Sequence, residues 1–79
     1  MTTEETYHVS PVNDGRWRVK HDDREESIHT RKAVAALFAK LAAVNGKRDG
    51  IVIFYRQDGS VEVEHRYNAR LKMDNNNRI

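Results

Sequence analysis

One segment dominates what this chain can fold into. Between Thr30 and Gly46 it reads RKAVAALFAKLAAVN, Ala-rich and of helical period, while the other patterned stretches alternate like strands. Val34, Leu37, Phe38 and Leu41 stand at i, i+3, i+4 and i+7, one stripe along a helix. Thr30 occupies the expected N-cap position, where its hydroxyl can accept from a backbone N–H two or three residues on. Gly46 is expected to end the helix in the left-handed conformation. Lys47 and Arg48 suit the negative end of the helix dipole, whereas Arg31 opposes the positive end. A lone amphipathic helix has nothing to bury its stripe against except a sheet.

The strands to build that sheet are legible. Residues 7–12 form a first strand with Tyr7, Val9 and Pro11 on one side. Pro11 cannot donate to a ladder, which predicts an edge or a bulge there. After the turn Asn13-Asp14-Gly15, residues 16–21 alternate Trp17 and Val19 against Arg16, Arg18 and Lys20. Residues 22–26 read as an acidic connector, and Ser27-Ile28-His29 as a short third strand with Ile28 inward. Ile51-Val52-Ile53-Phe54-Tyr55 is apolar on both faces, as expected of a strand covered on both sides or on one side by a partner. Gln57-Asp58-Gly59-Ser60 predicts a type I′ hairpin into residues 61–67, with Val61, Val63, His65 and Tyr67 inward.

The predicted architecture is therefore α+β, a two-layer antiparallel sheet carrying one amphipathic helix in the order β-β-β-α-β-β. Its boundaries are a disordered arm at 1–6, a single domain at 7–67 and a flexible basic, Asn-rich tail at 68–79. The expected core is Trp17, Val19, Ile28, Val34, Leu37, Phe38, Leu41, Val61 and Val63, with alternate residues of 51–55. A core of that size in 79 residues implies marginal stability or help from self-association.

Several functions are set aside by what the chain lacks. With no Cys, disulfides and thiolate chemistry are out. No run of about 18 apolar residues is present, so no membrane-spanning helix is expected. The polar, acidic start is unlike a secretory signal, which leaves a cytoplasmic location as the expectation. His8, His21, His29 and His65 fall on four different strands or strand ends without ligand spacing, so no metal site is expected. Ser10, Ser27 and Ser60 lack a neighbouring His and acid, and each Gly stands alone in its turn without a phosphate loop. Glu62 and Glu64 share a strand face through alternation alone. No catalytic residue and no cofactor is assigned.

Charge is the informative feature. A net +2 conceals blocks of −3 over 1–30, +5 over 31–48, −3 over 49–64 and +3 over 65–79. Nucleic acid is the leading partner, with Arg16, Arg18 and Lys20 on a strand face and Lys32, Lys40, Lys47 and Arg48, beside Arg31, around the helix. Glu62 and Glu64 oppose this if they pair across strands with Arg16 and Arg18. The competing reading is a protein partner or homodimer using the apolar strand, with Val52, Phe54 and Tyr55 as interface candidates. Which face of that strand is open, Val52 and Phe54 or Ile51, Ile53 and Tyr55, is left undecided by the pattern.

Taken together, Tyr7-His8-Val9, Pro11, Gly15, Trp17 and Val19-Lys20, then Thr30, Lys32, Ala33 and Ala36, then Asp58-Gly59 and Tyr67, resemble a known family. It is the group of small bacterial and phage proteins called domain of unknown function 2188, matched over about residues 7–67. The family usually has an acidic residue just inside the helix, where this chain has Val34, and is more polar where it keeps Phe54 and Tyr55. The resemblance implies the fold and a bacterial or phage origin, and no activity. Such an origin would also suit an inhibitor of a host or defence factor.

Overall fold

The computed structural model describes residues 4–46 and 48–68. The elements are β1 (Glu5–Pro11), β2 (Trp17–His21), β3 (Arg24–His29), α1 (Lys32–Asn45), β4 (Gly50–Tyr55) and β5 (Val61–Tyr67). This is the expected two-layer α+β order, with α1 lying across β1, β2 and β4. The sheet runs β3-β2-β1-β4-β5 and is mixed. The helical crossover brings β4 beside β1 in parallel, with Tyr7 opposite Val52 and Val9 opposite Phe54, where an all-antiparallel sheet was expected. Strand β1 is consequently interior. Pro11 is its last residue, beyond the final pair with β4, so its missing N–H interrupts no β1–β4 bond.

The helix meets the sheet through a different face from the one its hydrophobicity suggests. Ala35, Ala39 and Ala43 are buried against Tyr7, Val9, Val19, Val52 and Phe54. Val34, Leu37, Phe38 and Leu41 remain 48%, 55%, 37% and 50% exposed. At 100° per residue the two stripes lie roughly 150° apart on α1. The reason is volume. The sheet supplies aromatic and β-branched bulk, and interiors fill to crystal-like density, so the facing helix positions must be small. Leu at those positions would hold the two layers apart. Gly50 shows how closely they approach, since a Cβ there would stand 2.9 Å from Ala43 Cβ and 3.0 Å from the Ala43 carbonyl oxygen.

Further departures have local causes. The N-cap is Arg31, without a side-chain cap bond, rather than Thr30, and Gly46 is extended at φ −69, ψ 161. Strand β3 begins at Arg24, so only Asp22 and Asp23 connect it to β2. Ile28 pairs with Arg18 on the helix-free face and is 38% exposed. Val63, expected in the core, is 39% exposed because α1 packs mainly on the other four strands. Val61, also expected there, is 50% exposed because the β4–β5 register shifts between Phe54 and Tyr55 and pairs it with Tyr55. The β4–β5 turn is not type I′: Gly59 N–H donates to Arg56 O at 2.9 Å, and Gly59, not Asp58, has the positive φ. That is a type I turn closed by a Gly bulge. Val12 to Arg16 repeats it, with Gly15 at φ 87 and its N–H 3.2 Å from Val12 O. Each turn Asp accepts from the backbone N–H two residues on, Arg16 at 3.4 Å and Ser60 at 2.9 Å.

Gly50→Ala is expected to destabilise the fold by about 1–3 kcal/mol, the usual cost of forcing extra volume into a packed contact. Urea denaturation checks it, with Gly46→Ala as the comparison, because a Cβ at Gly46 would meet nothing closer than 3.5 Å.

Candidate nucleic-acid interface

The sheet divides the basic residues picked out from sequence into two sets. Arg18 and Lys20 project from β2 onto the helix-free face, while Lys32 and Lys40 belong to α1 on the other side. They cannot form one surface. Lys47 lies outside the described residues.

Ion pairing reduces the set further. Arg16, in the β1–β2 turn, is clamped by Asp14, with Nε 3.0 and 2.9 Å from the two carboxylate oxygens, and this holds the Asp14 carboxyl below its usual range. Lys32 Nζ donates to Glu62 Oε1 at 2.8 Å and sits 5.3 Å from the Trp17 ring centroid, fastening the start of α1 to β5. Its hydrogen bond and charge lower the Glu62 carboxyl. Arg48 Nε lies 4.0 Å from Glu5. Arg18 Nε is 3.2 Å from Glu25, an exposed pair worth little in water. Lys20 forms no ion pair among the described residues. The feared neutralisation of Arg16 and Arg18 by Glu62 and Glu64 does not arise, since β5 is at the far edge and Glu64 pairs with Arg66 at 3.2 Å.

What surrounds Lys20 is a shallow cleft of about 490 Å³ on the helix-free face. Arg18, Lys20 and Arg56 supply its positive charge, Asp22 and Asp23 its negative charge, and His8, Ser10, Tyr55 and Gln57 further lining. Arg56 is tied to the turn through Nη1, which donates to Ser60 Oγ at 3.2 Å and Val61 O at 2.9 Å. His8 Nδ1 lies 2.6 Å from Tyr55 Oη, with the rings 5.7 Å apart at 26°. Burial holds His8 below its ordinary value, with Asp22 and Asp23 opposing and Lys20 adding to the effect. In the neutral tautomer with its proton on Nε2, the His8 Nδ1 atom accepts from the Tyr55 hydroxyl.

His8 and Arg56 did not emerge from the sequence as site residues. They are 48 positions apart, and only the parallel β1–β4 pairing, with His8 opposite Ile53, brings the ends of these strands together. Of the interface candidates, Val52 and Phe54 are buried beneath α1 at 1% and 9% exposure, and Tyr55 alone reaches the cleft. The helix-free face of β4 is thus the one bearing Ile51, Ile53 and Tyr55, of which Ile51 is itself buried at 6% exposure. The remaining histidines are dispersed: His21 stacks on Tyr7 at 4.4 Å, His29 meets Phe38, and His65 meets the Phe54 ring edge-on. Among the described residues no three His, Asp or Glu side chains converge as metal ligands, and no helix is long and apolar enough to cross a membrane.

Residues 7–67 match the model of a family described as uncharacterized protein conserved in bacteria (DUF2188). The chain belongs to the DUF2188 family. The match runs from Tyr7 to Tyr67, so it spans the sheet, the helix and the cleft of this DUF2188 chain. No curated protein and no solved structure matches it.

The His8 environment has a pH signature. Because the folded state lowers this imidazole, the unfolded chain binds a proton near pH 6.5 that the folded chain resists. The contribution is complete above about pH 6.5 and declines as pH falls from there through the folded value. Thermal melts at pH 7.5 and 5.0 should show a smaller loss for His8→Asn than for the unaltered chain.

Proposed function

We propose that this DUF2188 protein is a non-enzymatic binding protein whose helix-free sheet face takes single-stranded nucleic acid. The observation that carries this reading is the cleft around Lys20, where three cations flank Tyr55 and His8 on an open sheet. Backbone phosphates would pass along Arg18, Lys20 and Arg56, and the rings would offer bases a stacking surface. Asp22 and Asp23 repel phosphate at one end, and there they can accept from base amino groups. Single strands suit the site better than a duplex, since its rings can be used only by unstacked bases.

Fluorescence titration with labelled oligonucleotides over a salt series tests it. Three phosphate contacts on a single strand give a log–log salt slope of roughly −2, which the Arg18→Ala/Lys20→Ala/Arg56→Ala variant should lose. Arg31→Ala/Lys40→Ala, on the other layer, should bind as the unaltered chain does. No binding at low salt, or loss only with the helix pair, refutes the cleft as the site.

A second reading, a protein partner, is favoured by one specific observation. Four large apolar side chains of α1 face solvent on the layer opposite the cleft.

A further inference from the structure

We infer that the outward stripe of α1 is a homodimer interface, in which a second copy of this chain lays its own α1 antiparallel across it. This names the occupant for the helix-face reading above, rests on that reading, and is independent of the cleft.

The stripe is self-complementary. Val34, Leu37, Phe38 and Leu41 are spaced symmetrically about the midpoint between Leu37 and Phe38. A twofold axis there places Leu37 against the second copy's Leu37, Phe38 against its Phe38 and Val34 against its Leu41, the isologous arrangement that closes at two. Between 37% and 55% of each of these side chains is accessible in the single chain, much for consecutive positions of one helical stripe.

Electrostatics selects the same geometry. Helix α1 has no acid in its first turn and no base in its last, and its N-cap is Arg31, so its charges oppose its own dipole. In an antiparallel pair each Arg31 stands beside the C-terminal end of the other helix, where the last carbonyls favour a cation and the nearby Arg48 is paired with Glu5. The misplaced charge thereby acquires a reason. Lys40 lies roughly 110° around the helix from the stripe at 100° per residue, which keeps the two copies' lysines off the seam.

Area fits as well. Burying the stripe and its flanks on both copies removes on the order of 1,000 Å² from water, the lower limit for a specific interface. It also suits a fold whose own core is small: among the described residues nine apolar ones are buried, three of them Ala. The expected dimer is reversible in the micromolar range.

Sedimentation velocity over a hundredfold concentration range tests this on the full chain. The expected result is a shift from 9.2 kDa to twice that mass, little affected by salt. Leu37→Glu/Leu41→Glu should raise the dissociation constant about 100-fold or more while the circular dichroism of the monomer is kept, because both positions are exposed and Glu favours helix. The sequence has no Cys, so single-cysteine probes give an independent measure. Leu37→Cys, near the axis, should cross-link to itself on mild oxidation, and Lys40→Cys should not. A monomer at every concentration overturns the dimer, as does a dimer indifferent to the Glu pair or cross-linked equally at both positions. If the chain is monomeric, an apolar dye separates the two failures. Dye bound by the chain and lost in the Glu variant overturns the second copy alone, and dye indifferent to the variant overturns the helix-face reading too.

Discussion

The close approach of α1 to the sheet is the constraint on which the other features depend. Ala35, Ala39 and Ala43 make it possible from the helix side, and Gly50 from the strand side, where a single added methyl would collide with Ala43. With the layers this near, Tyr7, Val9, Val19, Val52 and Phe54 fill the space beneath, and no volume remains for the larger helix side chains. These are turned outward. One packing decision therefore sets both the core and the exposed apolar stripe.

The same decision separates the two candidate surfaces. Because one helix covers one face, the other face of the mixed sheet is free to carry His8, Arg18, Lys20 and Tyr55 around a cleft. The helix layer carries Lys32, bound to Glu62 and lying over Trp17, and beyond it the Val34–Leu41 stripe. In a dimer joined through the stripes, the two clefts would face away from each other.

Much of the fold was readable from the chain. The alternation of Trp17-Arg18-Val19-Lys20, the Asp-Gly turns and the Ala-rich helix each follow from short-range rules, and together they lead to the observed order of elements. The face of the helix was not readable in this way, because periodicity ranks side chains by hydrophobicity and says nothing of the room available between layers. The three Ala at i, i+4 and i+8 were the signal of close packing, visible but outweighed by the larger side chains. The site was legible only in part. Arg18 and Lys20 were evident as an outward strand row, while the neutralisation of Arg16 by Asp14 and of Lys32 by Glu62 depends on geometry at distances of about 3 Å.

By itself, then, the sequence determined the kinds of elements, their order and the family, since these rest on local periodicity and turn chemistry acting over a few residues. Tertiary structure decided three things: that β1 and β4 run parallel, that α1 presents Ala to the sheet, and that His8 meets Tyr55. Each depends on contacts between segments far apart in the chain, where packing volume and strand pairing prevail over local preference.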